Sequence, residues 1–132
     1  MFPDLQLLDV AGPITAFEIA NHFAPGAYTL RIVSSAGGLV RSSAGVAMPS
    51  ESLKGLRRSS LDTILVSGGQ GTRAAMQDQA LIGFLKRASG NMRRITSVCS
   101  GAYLLAQAGL LDGKSCTTHW RHAAVLAKLF PQ

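Results

Sequence analysis

Along the chain the apolar positions switch between helical and strand spacing, and the switches mark out alternating elements. From Pro13, the residues Ile14, Phe17, Ala20 and Phe23 recur at helical intervals. Proline is favoured in the first turn of a helix, so a helix is predicted from Pro13 to about His22. Ala24, Pro25 and Gly26 end it. Tyr28, Leu30 and Ile32 then alternate with Thr29 and Arg31 and lead into Val33, which predicts a strand. Gly37 and Gly38 turn the chain, and Leu39 to Ser42 return as a short strand. From Gly45 to Ser60 no period is visible, and loop is expected apart from one helical turn near Leu53.

Leu61 to Val66 is a compact apolar run ending in SerGlyGlyGlnGly, the pattern of a buried parallel strand entering a glycine-rich turn. Leu81, Phe84, Leu85 and Ala88 give one face of an amphipathic helix that closes near Gly90. Ile95 to Val98 form a further strand. The run from Ser100 to Ala108 is apolar almost all round and predicts a buried helix ending at Gly109. Asp112 and Gly113 turn the chain, Lys114 to Thr118 is short and extended, and a last helix carries Ala123, Leu126, Ala127 and Phe130 on one face. No repeat, linker or low-complexity segment interrupts this order. Strands alternating with helices predict a single α/β domain over residues 1–132, with a mostly parallel sheet.

Ligands of such sheets bind beyond the carboxyl ends of the strands. Cys99 falls there, on the tight turn between a strand and a helix, where a side chain is lifted above the sheet edge. The helix N-terminus behind it is expected to push the thiol toward thiolate. The alternative is that Cys99 is one more small buried apolar residue. Gly68, Gly69 and Gln70 follow another strand end, and the amides of Gly69, Gln70 or Ser100 are candidates for holding an oxyanion, or the glycines are ordinary turn punctuation. Asp9 either caps the first helix or holds a proton at the thiol. His119 lies one helix and one turn beyond Cys99 and is either a thiol–imidazole partner or a polar cap.

Composition narrows this. The 132 residues are 47% hydrophobic and 15% charged with 14 glycines, a globular composition. No apolar run is long enough to span a membrane and no basic segment opens a leader, so a soluble cytoplasmic protein is expected. Thirteen Lys and Arg against seven Asp and Glu leave a net charge of +6, which invites nucleic acid as a partner. The basic residues come in pairs at segment ends, Arg57 with Arg58, Lys86 with Arg87 and Arg93 with Arg94, and read better as solvated caps. Cys99 and Cys116 are expected to be free thiols, and no His, Cys and carboxylate group has metal-ligand spacing, so neither metal nor cofactor is expected. SerGlyGlyGlnGly lacks the Lys-Ser/Thr of a phosphate-binding loop.

Taken together, LeuLeuAspValAlaGlyPro before a helix, a strand ending in GlyGly, ValCysSerGlyAla at the turn, and AlaGlyLeuLeuAspGly followed by ThrThrHisTrp resemble the DJ-1/PfpI superfamily, the class I glutamine amidotransferase-like fold. The resemblance is closest to the sensor domains of GlxA-like AraC-type transcription regulators, with isocyanide hydratase as an enzyme relative. It implies a flavodoxin-like three-layer fold, a small-molecule ligand or substrate, a homodimer, and DNA contact only through a separate module. It matches Cys99 to the elbow cysteine, Asp9 to the acid facing it, Ser100 to the place after the cysteine, where those relatives have a small hydroxyl residue or similar, His119 to the histidine of the last motif, and Gly68 and Gly69 to the turn supplying backbone amides. Protease-like members carry histidine where this chain has Ser100, and the HisXxxGlu pair of a glutaminase is not found, so the enzyme reading is a cysteine-dependent hydratase. Relatives of this branch usually have an apolar strand before the position of Phe2 and further elements after Gln132, so the chain is expected to be incomplete at both ends, and an inactive fragment is the remaining reading.

Overall fold

The computed structural model describes residues 1–57 and 61–131. Arg58, Ser59 and Ser60, the end of the expected loop, and Arg58 of the first basic pair lie outside the described residues, as does Gln132. The elements in order are α1 (Leu8–Phe23), β1 (Val33–Ser34), β2 (Gly38–Arg41), β3 (Ala47–Ser52), β4 (Thr63–Val66), α2 (Thr72–Ala75), α3 (Gln79–Ala88), β5 (Arg94–Ser97), α4 (Ala102–Gln107) and α5 (Ala123–Leu129). Short 3₁₀ turns occupy Leu53–Gly55, Ser89–Asn91, Cys99–Gly101 and Trp120–His122.

The strands form two sheets. In one, β3 lies between β1, to which it is parallel, and β2, to which it is antiparallel; in the other, β4 and β5 are parallel with Ile64 opposite Ile95. Leu5, fully buried, bridges to Ser42 on one side and to Gly69 on the other, so the N-terminal segment ties the two sheets together. The main core lies against β4: Leu81, Phe84, Leu85 and Ala88 of α3, the face read from the sequence, meet Leu104 and Leu105 of α4, and Leu53, Leu56, Phe2 and Leu5 close it. Every residue from Ala102 to Ala106 is buried, because α4 touches this core on one side and a second cluster with Leu126 of α5 on the other. Asp78 caps α3 by accepting from the N–H groups of Ala80 and Leu81, both at 3.0 Å.

Four expectations need correction. First, α1 begins at Leu8, ahead of the predicted Pro13, so Asp9 stands in its first turn and Pro13 falls inside. A turn already closed by the N–H groups of Asp9 and Val10 on Gln6 and Leu7 carries the helix past a proline that merely lacks one donor. Second, only Val33–Ser34 of the run from Tyr28 is ladder-paired; Tyr28 is held by Asn21, whose side chain both donates to and accepts from its backbone. The alternating pattern was present but only Ile32 to Ser34 meet β3, and a strand needs a neighbour. Third, AlaMetProSerGluSer is a strand, β3, although it contains Pro49 and lacks β-branched residues; neighbours on both sides supply its ladder. Fourth, α2 was not foreseen, being a single turn of TRAA without an apolar period.

Candidate functional site

The chain leaves β5 through Val98, and Cys99 turns with φ of 51°, a left-handed backbone rare for a side chain other than glycine's. Such strain persists only when the surroundings hold it. Here they do. The carbonyl of Cys99 accepts from the Thr118 hydroxyl at 2.8 Å and from the His119 N–H at 3.3 Å, and Gly101 packs so closely on β4 that a Cβ there would lie 2.4 Å from the carbonyl oxygen of Val66.

Asp9, from the start of the chain, reaches this turn. Its Oδ2 accepts from the Gly68 N–H at 3.1 Å, and its carboxylate lies beside the thiol of Cys99. Glycine at 68 permits the approach: a Cβ would meet the Ser100 nitrogen at 2.5 Å and Asp9 Oδ2 at 2.9 Å. Gly69, with φ of 143°, likewise leaves no room, since a Cβ would stand 2.3 Å from the Gln6 nitrogen. Ser100 is buried and its hydroxyl accepts from the Gly69 N–H at 3.0 Å and shares a hydrogen bond with the Thr72 hydroxyl at 2.8 Å. Thr72 in turn donates to the Gly69 carbonyl at 2.7 Å.

The structure thus brings Cys99, Asp9, Gly68, Gly69 and Ser100 together. It does not treat the others alike. Gln70 is exposed. The His119 imidazole accepts from the Arg121 N–H and stacks on Trp120, so its tie to Cys99 runs through the backbone and not through a thiol–imidazole pair. The amides of Gly68 and Gly69, read as oxyanion donors, are already taken by Asp9 and by Ser100. Nor is the thiol driven toward thiolate. Burial pushes the Cys99 thiol up, the Asp9 carboxylate adds to the rise, and the N–H and hydroxyl of Ser100 pull the other way without prevailing. The following helix contributes one well-placed amide here, too little against partial burial beside an anion.

Two residues that position the site escaped the sequence reading. Thr118 stands in the ThrThrHisTrp motif, whose histidine drew the attention, and Thr72 opens α2, a turn too short to leave a periodic signal. Among the described residues no group of three or more His, Cys, Asp or Glu is placed to hold a metal ion, and no helix is long and apolar enough to cross a membrane.

A parallel sheet flanked by helices, with a cysteine at the strand-to-helix turn and glycine turns beside it, defines a flavodoxin-like α/β protein of the ThiJ/PfpI kind. A solved ThiJ/PfpI family protein from Pseudomonas syringae superposes with a TM-score of 0.79 at 31% identity, over 91% of this chain and 48% of that one. The profile of the DJ-1/PfpI family matches residues 1–129, and the chain belongs to that family. An uncharacterized protein in the cpoL 5' region of Streptomyces lividans is 38% identical over 131 residues, 99% of this chain and 92% of its own length. The isonitrile hydratase of Pseudomonas putida is 42% identical over 69 residues, 52% of this chain and 30% of that protein. The HTH-type transcriptional regulator GlxA of Rhizobium meliloti (strain 1021) is 36% identical over 104 residues, 79% of this chain and 32% of the regulator. The chain therefore spans about a third of the regulator and hydratase that it matches.

Proposed function

We propose that the chain is the small-molecule-sensing domain of an AraC-type transcription regulator, with Cys99 at a nucleophile-elbow turn in its pocket and Asp9 beside it. The observation that carries this reading is the thiol–carboxylate pair: a half-buried sulfur whose proton is retained, facing an acid that also accepts the Gly68 N–H. A protonated thiol and a carboxylate present one weak donor and one strong acceptor on a rigid turn, a recognition pair for a small polar molecule. Ser100, Gly69 and Thr72 lock the turn behind them. Similarity to GlxA, an HTH-type transcriptional regulator, supports the regulatory context. On this reading DNA is contacted by a separate helix-turn-helix module, and the domain works in the cytoplasm as a homodimer.

The second reading, a cysteine-dependent hydratase, rests on the same pair and on similarity to isonitrile hydratase. There Asp9 takes the thiol proton as sulfur adds to the terminal carbon of an isocyanide and delivers it to that carbon; water then adds to the resulting thioimidate, and collapse of the adduct breaks the C–S bond, releasing the N-substituted formamide and restoring the thiol. One experiment separates the two. The chain is fused to a heterologous helix-turn-helix module driving a reporter, and the purified chain is incubated with an alkyl isocyanide. The sensor reading predicts reporter output that changes with a small-molecule panel, a change lost in Asp9→Asn, and no formamide. Formamide produced by the wild type and not by Cys99→Ala, with a reporter deaf to the panel, would establish the enzyme instead.

A further inference from the structure

Thr72 opens α2 and does more than that short helix needs of it. The turn is already closed through the backbone, by the Thr72 N–H on the Gly69 carbonyl at 3.2 Å and by the Ala75 N–H on the Gly71 carbonyl at 2.9 Å. The Thr72 hydroxyl adds a second bond to the Gly69 carbonyl, at 2.7 Å, and lies 2.8 Å from the Ser100 hydroxyl. Both side chains are buried, Thr72 with 5% and Ser100 with 6% of its surface exposed. A hydroxyl has one proton to give and two lone pairs to offer, so the direction of each bond in this pair follows from counting.

A carbonyl oxygen only accepts. The 2.7 Å contact between Thr72 Oγ1 and the Gly69 oxygen therefore takes the Thr72 proton, because two oxygens this close repel without a proton between them. With that proton spent, the contact between the hydroxyls is filled from the other side: Ser100 donates and Thr72 accepts. The Gly69 carbonyl is a poorer acceptor for Ser100, at 3.4 Å and already served by Thr72. The Gly69 N–H, at 3.0 Å, uses one lone pair of Ser100. The one proton of Ser100 is thus committed to Thr72.

That commitment matters one residue back, since the Ser100 hydroxyl also reaches the Cys99 sulfur as a donor. A thiolate would draw on that proton, whereas a thiol beside Asp9 has its own proton held by the carboxylate. Burial does most to raise the Cys99 thiol's pKa, and the lowering by the Ser100 hydroxyl is the weakest of the influences on it. The count of protons gives the reason. To serve the sulfur, Ser100 must give up a good acceptor at 2.8 Å, and Thr72 must leave the Gly69 carbonyl to donate to Ser100 instead.

We propose that Thr72 is a positioning residue of the cysteine site: by accepting the Ser100 proton it keeps that proton off the Cys99 sulfur and so favours the thiol over the thiolate. The proposal rests on the reading of Cys99 and Asp9 as a recognition pair whose sulfur stays protonated, and it names a third group that keeps it so. Thr72 acts through Ser100.

The test uses the whole chain. Thr72→Val keeps the shape of the side chain and removes the hydroxyl, which leaves Ser100 only the poorer acceptor at 3.4 Å and frees its proton for the sulfur. Alkylation of Cys99 by iodoacetamide is followed against pH, with Cys116 as the internal standard. In Thr72→Val the Cys99 midpoint moves to lower pH, and below the midpoint the rate rises about threefold to tenfold, the worth of one neutral hydrogen bond. Thr72→Ser, which keeps the hydroxyl, returns the midpoint to the wild-type value. In a Ser100→Ala background Thr72→Val moves nothing, because the proton it would release is gone. Urea denaturation checks that each variant is folded, and Thr72→Ala carries the same expectation where Thr72→Val is not. A midpoint that stays in place or rises in the folded variant, that shifts equally in Thr72→Ser, or that shifts as far without the Ser100 hydroxyl overturns the proposal. The reporter fusion decides the sensor reading separately: output deaf to the panel, with the midpoint shift intact, removes that reading and leaves the role of Thr72 standing.

Discussion

Two helices of this molecule make an instructive pair. α4 is six residues long and buries the five from Ala102 to Ala106; α1 is 16 residues long and buries none. Both are rich in apolar residues, so composition does not separate them. Position does. α4 is clamped between two clusters behind the parallel pair β4–β5, whereas Val10, Ile14 and Phe17 of α1 line an open cleft. Helix stability in a folded protein comes mainly from what the helix packs against, and here the same kind of sequence is core in one half and cover in the other.

The sharpest way to break this contrast is to delete buried volume on each side. Leu104 is fully buried, and Leu104→Ala should lower stability by about 2–5 kcal/mol in urea denaturation. Ile19→Ala on α1, where Ile19 is 48% exposed, should change it by less than about 0.5 kcal/mol. Equal losses would mean that α1 is as firmly packed as α4. Next in size is Gly68→Ala, which sets a methyl group 2.5 Å from the Ser100 nitrogen and 2.9 Å from Asp9 Oδ2, so the turn must open. A loss of about 1–3 kcal/mol is expected, together with faster alkylation of Cys99 as Asp9 is pushed away. Smaller again is Asp78→Ala, which removes the cap of α3 and two hydrogen bonds; about 1 kcal/mol should be lost, measured by thermal unfolding. Because α1 has no side-chain cap, no cap substitution at Leu7 should match it.

The same contrast explains what could be read without coordinates. Where a segment is packed on both sides, its pattern sufficed: Leu81, Phe84, Leu85 and Ala88 were read as one face and are all buried, and the run from Ala102 was read as buried all round. Where burial is one-sided or absent, the pattern misled. Tyr28 to Ile32 alternate as a strand does, yet Tyr28 and Leu30 are 39% and 41% exposed because the ladder they would need stops at Ile32. β3 was invisible for the opposite reason, since neighbours impose extension on residues with little preference for it. At the candidate site, motif spacing located Cys99, Asp9 and the glycines, which need particular residue types at particular bends. It did not foresee that Ser100 and Asp9 would occupy the glycine amides, because that depends on angstrom-scale closeness between segments roughly thirty to sixty residues apart.

The smallest effect is electrostatic and falls where the two halves meet, since Asp9 belongs to the loose helix and Cys99 to the packed turn. Asp9 raises the thiol's pKa in two ways, as a neighbouring negative charge and as an acceptor that holds the thiol proton. Asp9→Asn removes the charge and keeps an oxygen for the Gly68 N–H, so the turn should stay closed. The thiolate becomes easier to form, and the midpoint of Cys99 alkylation by iodoacetamide, followed against pH, should move to lower pH while that of Cys116 stays in place. Stability should respond with matching sign. A thiol whose folded pKa lies above its unfolded value holds its proton longer when folded, so its contribution is present below the unfolded pKa and is lost as pH rises through the folded one. In Asp9→Asn that alkaline loss should shrink. An unchanged alkylation midpoint would mean that burial alone sets the thiol's pKa and that the acid from the loose half does not act on the packed one.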